Sequence, residues 1–396
     1  MSVATAEQAS ALLGVYRSYP LEITSGAGSH LHGSDGRVYL DFVSGIGVNA
    51  LGYGDRGIAA AIASALQTGV LHTSNLFATG PARELAELLT SLSFADQVFF
   101  CNSGGEANEA AFKFARRYAR TRAAEGKYEI VALKNGFHGR LFGSLAATDR
   151  PAFQKPFEPL MPGVRFVVAN DFDAARAAVS SARTAAIIAE PVQGEGGVRP
   201  LDAEYLAFLR ELADEHDAVL IFDEVQCGLG RIGHVFAYQA FGVTPDVVTL
   251  AKPLAGGLPM GAVLLSDRVA GTIQPGDHAT TFGGGSLVAS VALHVLQRIA
   301  APGFVEEVRA KGARMAELLG GLAGLGPIRQ ARGLGLMWGI ELDRPAAPAI
   351  TAIRAAGLLV TSAGENVIRL LPPLTVSMAE IEEGVAIIRA ACEALQ

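Results

Sequence analysis

From about residue 55 to 300 the chain alternates two hydrophobic patterns. Helical stretches such as GIAAAIASALQ, RELAELLTSL and NEAAFKFARRYAR are separated by short apolar runs: QVFFCN, YEIVAL, VRFVVAN, AAIIAEP, AVLIFDEV and DVVTLAK. The runs are near-continuous instead of alternating apolar with polar, as strands buried on both faces should be. Strand and helix alternating in this way predict an α/β fold, a mostly parallel central sheet with helices on both faces. Ahead of it, residues 21–43 alternate around Asp35-Gly36 (SHLHGSDGRVYLDF), which predicts a β-hairpin. After residue 300 the pattern reads helix (FVEEVRAKGARMAELLGGL), strand (GLGLMWGIEL), helix (PAITAIRAAG), short strands (LLVTS, NVIRLLP) and a closing helix (MAEIEEGVAIIRAACEAL). The expected division is an N-terminal β segment over 1–54, a large α/β domain over 55–300 and a smaller α+β domain over 301–396, to which the first segment also contributes. No repeat or low-complexity linker separates them, so close packing is expected.

Composition narrows the function. Hydrophobic residues make up 50% of the 396 and charged residues 18%, which excludes a disordered or fibrous chain. Glycine and proline reach about a sixth of the chain, above the usual share, and imply many tight turns. The net charge is −7 with no basic stripe, so nucleic acid and anionic membrane surfaces are not expected partners. The opening MSVATAEQAS lacks a basic flank before an apolar core, and no apolar run reaches the ~18 residues of a membrane span. Three cysteines, Cys101, Cys227 and Cys392, form no CxxC pair and leave one over, which reads as reduced thiols. A cytoplasmic location is the expectation.

In α/β sheets ligands sit beyond the carboxyl ends of the strands, and several of these ends carry chemistry. VFFCN runs into Ser103-Gly104-Gly105 and a helix, a setting for phosphate at a helix N-terminus, although Ser103 and Glu106 also form a capping box that needs no ligand. AVLIFDEV leaves Asp223 at a buried strand end, where a carboxylate needs a cation or several N–H donors; a structural ion pair or cap by Asp223 or Glu224 is the simpler reading. DVVTLAK places Lys252 at another strand end before a Gly-rich loop, a candidate Schiff-base amine if buried and a solvent-reaching lysine if not. EPVQGEGGV contributes Glu190 and Glu195, and NGFHGR contributes Phe137, His138 and Arg140; turn carboxylates, a core histidine and a surface arginine would be ordinary. GLGRIG (Gly228 to Gly233) matches a dinucleotide fingerprint, but the HVFAYQAFGVTPD after it shows no clean helical period. GIGVNA (Gly45 to Ala50) follows a hairpin. There is no P-loop, no GxSxG and no His/Cys spacing suited to a metal.

A phosphate cradle, a strand-end carboxylate and a strand-end lysine are together what pyridoxal phosphate requires: an anchor, a partner for the ring nitrogen and an imine-forming amine. The chain moreover resembles the class III (ornithine-type) aminotransferases, and within them the acetylornithine aminotransferases. The blocks that carry this run in order from SGIGVNALG, LHTSNLF and FFCNSGGEANEAAFKFAR through FHGR, EPVQGEGGV, IFDEVQCGLGRIG, LAKPLAGGLPMGA and HATTFGGGS to RGLGLMWGIEL and NVIRLLPPL.

The resemblance implies pyridoxal-phosphate transferase fold type I and a homodimer with a shared site. Lys252 matches the lysine that carries the cofactor and shuttles the proton, Asp223 the acid at the ring nitrogen and Gln226 the residue at the ring hydroxyl. Ser103, Gly104 and Gly105 match the phosphate loop, helped by Thr281 from the second subunit, and Phe137 matches the aromatic on the ring. Arg140 and Arg369 match the arginines that grip substrate carboxylates, with Glu195 gating Arg369. The implied reaction is ping-pong transfer of the terminal amino group of N-acetylornithine to 2-oxoglutarate, in arginine synthesis. Alternatives are an acetyl-lysine or carrier-linked lysine aminotransferase, an ornithine or 4-aminobutyrate aminotransferase, an NAD-dependent dehydrogenase using GLGRIG, and a non-catalytic binding protein. SGIGVNALG lacks the tyrosine an ornithine enzyme places there. Three departures from the family pattern are Pro253 after the lysine where glycine is usual, Gly284-Gly285-Ser286 for Gly-Asn-Pro, and Gly105 for alanine.

Overall fold

The computed structural model describes residues 11–16, 18–122 and 126–395; the opening decapeptide, read above as lacking a targeting signal, lies outside them. Its centre is a seven-stranded sheet in the order Gln97–Cys101, Gly261–Leu265, Val247–Leu250, Val219–Asp223, Thr184–Ala189, Glu129–Leu133, Val164–Val167. All six apolar runs predicted as strands are present. The strand Val219–Asp223 is parallel to both neighbours, with Asp223 paired to Thr249 across the ladder. Successive side chains of one strand enter different cores. Ile130, Ala132, Val219 and Ile221 pack with Ala110, Phe114 and Ala115 of the helix Gly104–Arg122. Val131, Leu133, Leu220 and Phe222 pack with Leu85, Leu206, Leu209 and Leu296 on the opposite face. Two buried faces leave no polar alternate positions, which is why the runs read as continuous.

The seventh strand, Gly261–Leu265, does not follow from the helix–strand alternation, and it runs antiparallel to both neighbours. A parallel neighbour needs a crossover of about a dozen residues or more. Residues 251–260 are too few, so the chain turns straight back.

The C-terminal region forms a four-stranded antiparallel sheet from Ile328–Leu334, Met337–Leu342, Val367–Leu370 and Thr361–Ser362. Here GLGLMWGIEL, expected as one strand, is split: Gly335 turns the chain at a φ of +54° and Leu336 is wholly buried. A turn with an apolar corner interrupts the backbone but not the hydrophobic pattern. The run LLVTS also divides, since Leu358–Leu359 pairs in parallel with Leu40 and Asp41 while Thr361–Ser362 joins the other sheet. The expected hairpin is there as His30–Gly33 and Val38–Asp41, with Gly36 at φ +79° and Asp35 Oδ1 accepting from Arg37 N at 3.1 Å. One core joins the two ends of the chain, Leu40, Phe42 and Ala50 packing with Ile340, Leu370, Ile381 and Ile388. No single described helix is long and apolar enough to cross a membrane; Ser286–Ile299 and Phe304–Gly320 pass a length-and-composition test only as a pair bent by 65°.

Candidate active site

The strand ends meet in one cavity of about 360 Å³, lined by Ser103, Gly104, Gly105, Phe137, Glu195, Asp223, Gln226 and Lys252 among others. Beyond the strand Gln97–Cys101 the chain enters the helix Gly104–Arg122 through half of the expected capping box, because the Glu106 carboxylate reaches past Ser103 to the residue before it. Ser103 Oγ accepts from Glu106 N at 3.2 Å, and Glu106 Oε2 in turn accepts from Asn102 N at 2.8 Å. The cap uses the Ser103 oxygen as acceptor and leaves its hydroxyl proton free, while the first-turn N–H groups of Gly104 and Gly105 point at no acceptor in the helix. A Cβ on Gly104 would stand 2.7 Å from Val225 Cγ1, so only glycine lets the helix end approach the loop after Asp223. At Gly105 the nearest atom to such a Cβ is 3.6 Å away, so the departure from alanine there reflects no close approach.

Asp223 is 3% exposed and fully engaged on one oxygen. Its Oδ2 accepts from Asn108 Nδ2 at 2.7 Å and from His138 Nδ1 at 2.7 Å, and its Oδ1 accepts from Val225 N at 3.0 Å. These donors offset the burial cost that an ionised carboxylate would otherwise carry. Neighbouring Glu224 has a different task. Burial raises its carboxyl to about 8, and it accepts from Ala237 N and Tyr238 N at 2.5 and 2.7 Å, tying down the loop after the strand.

Lys252 follows the strand Val247–Leu250 with a φ of +20° and starts a 3₁₀ turn, Lys252–Ala255. Pro253 stands in the first turn, where an N–H has no partner to lose, so replacing the usual glycine breaks no hydrogen bond. The Lys252 amine makes no hydrogen bond among the described residues. Burial pushes it below the ordinary lysine value, and the attraction of Asp223 and Glu195 recovers only part of that. A desolvated, unpartnered amine is the form that can attack a carbonyl.

Arg369 comes from the strand Val367–Leu370 and is 1% exposed. Its guanidinium pairs with Glu195 Oε1 and donates to Gln226 Oε1 at 3.2 Å, while its Nε has no partner. Burial pushes the Glu195 carboxyl up, but Arg369 overcomes this and holds it below the usual carboxylate range. Gly194 makes room for the group, because a Cβ there would lie 2.3 Å from Gln226 Oε1. Glu190 clips two loops together, accepting from Phe137 N at 2.9 Å and Gly194 N at 3.0 Å.

Three expected residues lie outside the cavity lining: Arg369, which meets it only through Glu195 and Gln226, and Arg140 and Thr281. Arg140 is exposed and stacks on Phe153, its guanidinium carbon 3.6 Å from that ring centre and 5.8 Å from the ring of Phe137. Thr281 is exposed on a loop whose neighbour Thr280 receives Asn102 Nδ2 at 3.1 Å. Sequence reasoning passed over Asn108 and Thr249, although a polar residue inside an apolar run, as in VVTL, is a signal that was available. GLGRIG proves to be a turn and opens no helix. Its Arg231, 1% exposed, donates to the carbonyls of Leu336 and Pro372, which ties the turn to the C-terminal sheet and leaves no dinucleotide loop.

An open helix N-terminus, an unpartnered amine and a strand-end carboxylate with a free lone pair, all lining one cavity, fit the three poles of pyridoxal phosphate. The cavity also falls in the roughly 300–1,000 Å³ range of cofactor pockets. With the sheet order above, fold and site define a pyridoxal-phosphate enzyme of fold type I. The family model "Aminotransferase class-III" matches residues 15–392, and the chain belongs to that family. It is 47% identical over 382 residues to the mitochondrial acetylornithine aminotransferase of Alnus glutinosa, covering 95% of this chain and 84% of that protein. Among solved structures, the N-acetylornithine aminotransferase of Stenotrophomonas maltophilia superposes with a TM-score of 0.81 at 34% identity, covering 96% of this chain and 97% of that one. A PLP-bound amine transaminase from an uncultivated Pseudomonas species gives a TM-score of 0.91 at 29% identity, with 99% and 100% covered. The chain is a pyridoxal-phosphate-dependent aminotransferase.

Proposed function

We propose that this enzyme moves the terminal amino group of N-acetylornithine to 2-oxoglutarate, giving N-acetylglutamate semialdehyde and glutamate for arginine synthesis in the cytoplasm. The observation that carries the reading is the Arg369–Glu195 pair, with Arg369 buried behind Glu195 and Glu195 lining the same cavity as Lys252. One pocket must take a dicarboxylate in one half-reaction and a substrate with a neutral amide in the other. An arginine neutralised by its own glutamate suits the amide, and the same arginine released suits the second carboxylate. The names of the relatives support the same substrate.

In this reading the open N–H groups of Gly104 and Gly105 and the Ser103 hydroxyl hold the phosphate, Asp223 meets the ring nitrogen, Gln226 the ring hydroxyl, and Phe137 covers the ring. Arg140 swings from Phe153 to hold the carboxylate that both substrates share. Pyridoxal phosphate, when bound, supplies the electron sink that makes the carbon bearing the amine acidic. The Lys252 amine takes the proton from that carbon and returns it on the cofactor side, a role worth on the order of 10²–10⁴ in rate. Two copies pair so that the partner subunit's Thr281 adds a hydroxyl to the phosphate site. Supporting this is the exposed apolar surface on the loops nearby, with Leu76 at 86%, Phe77 at 70% and Phe282 at 65%. Residues 1–54 and 301–396 then form the small domain around the large one over 55–300.

The test is turnover with N-acetylornithine, ornithine, acetyl-lysine and 4-aminobutyrate in parallel, with 2-oxoglutarate as acceptor. The highest kcat/KM is expected for N-acetylornithine; a higher value for any of the others overturns the substrate assignment.

A further inference from the structure

Behind Asp223 lies a chain of buried polar groups that the reaction as described does not use. Asn108, on the helix Gly104–Arg122, is 1% exposed, and Thr249, opposite Asp223 on the adjoining strand, is fully buried. Asn108 Nδ2 donates to Asp223 Oδ2 and to the carbonyl of His138, both at 2.7 Å. Thr249 Oγ1 donates to Asn108 Oδ1 at 2.8 Å. Both N–H donors of the amide and one lone pair of its oxygen are filled.

This arrangement admits only one orientation of the amide. A hydroxyl has a single proton, and that of Thr249 is committed to the amide oxygen. Rotating the amide by half a turn would aim its oxygen at the Asp223 carboxylate and at the His138 carbonyl, two acceptors facing an acceptor in a site without solvent. Such unpaired buried contacts are costly. Asp223 and the His138 carbonyl, which only accept, therefore fix the amide with a donor facing Asp223, and the Thr249 hydroxyl holds it from the far side by donating to the amide oxygen.

The consequence falls on the two oxygens of Asp223. With Asn108 and His138 both on Oδ2, that oxygen's capacity is spent, and Oδ1, which takes only Val225 N, keeps a lone pair for the cavity. Asn108 is also neutral and donates through an N–H that it does not surrender, so it fills Oδ2 without competing for the proton on the cofactor's ring nitrogen.

We propose that Asn108, held by Thr249, is a positioning residue that keeps Asp223 oriented with Oδ1 turned to the cofactor's ring nitrogen. The inference rests on the reading that Asp223 meets that nitrogen, and the experiment separates the two. Apoprotein is titrated with pyridoxal phosphate and with the analogue in which CH replaces the ring nitrogen, the dissociation constants being read by equilibrium dialysis.

The wild type is expected to prefer the natural cofactor. Thr249→Val, nearly isosteric and at home in a strand, should weaken pyridoxal phosphate on the order of tenfold and leave the analogue unchanged, and Thr249→Ser should restore the preference. Asn108→Ala tests the same link from the other end and should show the same selective loss. Equal loss for both ligands would make the pair a structural brace and overturn the inference, as would no loss for either. A wild type that does not distinguish the two ligands would instead overturn the placement of Asp223 at the ring nitrogen.

Discussion

Replacing Glu195 with glutamine keeps the shape of the group that faces Arg369 and removes its charge. Removing one member of a fully buried ion pair costs about 3–5 kcal/mol, whereas exposed pairs contribute about 0–1 kcal/mol. The Arg369 side chain is 2% exposed and that of Glu195 30%, so this pair lies between the two cases, at about 2 kcal/mol. The same free energy sets the gate, because a dicarboxylate that takes Arg369 from Glu195 must first break the pair. In Glu195→Gln protein the apoenzyme should lose about 2 kcal/mol of stability while 2-oxoglutarate binds up to ~30-fold more tightly. N-acetylornithine should bind more weakly, since its amide now meets an unneutralised guanidinium.

The assay is the two half-reactions run separately, each with its own KM, beside urea unfolding of the apoprotein. A stability loss with both KM values unchanged would make the pair a brace with no part in selection. No change in either would show that the contact has no energetic weight. Acid supplies an independent check. The folded Glu195 carboxyl titrates below its unfolded value, so its contribution is present above about pH 4.3 and is lost as pH falls through the folded value. The stability gap between wild type and Glu195→Gln should therefore stay constant near neutrality and close only below about pH 4.3.

Burial lowers the Lys252 amine, so the unfolded chain binds its proton more readily than the folded one, and apoprotein stability should climb with pH towards about 10.4; Lys252→Met should lack turnover, be the more stable apoprotein at pH 7 in urea unfolding, and lose that lead as pH rises. Gly105→Ala, with 3.6 Å to its nearest neighbour, should gain about 0.4–1 kcal/mol of thermal stability and leave cofactor affinity unchanged, which equilibrium dialysis checks. Gly194→Ala drives a methyl into Gln226 and through it disturbs Arg369; a loss of about 1–3 kcal/mol in urea unfolding and a raised KM for 2-oxoglutarate are expected.

Legibility in this chain follows how local the cause is. Continuous apolar runs revealed six strands because burial on both faces is written into each run separately. Lys252 and Asp223 were legible for the same reason, since a buried strand ends where polar residues begin and reactive groups are set at those ends. The strand Gly261–Leu265 was not, because its direction depends on the shortness of the connection before it and not on its own composition. The corner at Gly335 was hidden by an apolar Leu336 that buries itself. Arg369 is a harder case, for nothing in NVIRLLP distinguishes a site arginine from a surface one; it meets Glu195 only because the C-terminal sheet packs against the loop after Thr184–Ala189, and only the family resemblance pointed to it. GLGRIG shows the converse. Its spacing suits a diphosphate, yet such a loop works by leaving backbone N–H groups open at the start of a helix. Here Gly228 N and Gly230 N already bond to carbonyls within the turn, and Arg231 points inward to carbonyls of the C-terminal region. Spacing identifies a site only when the backbone donors it promises remain free, and that depends on the element that follows the motif.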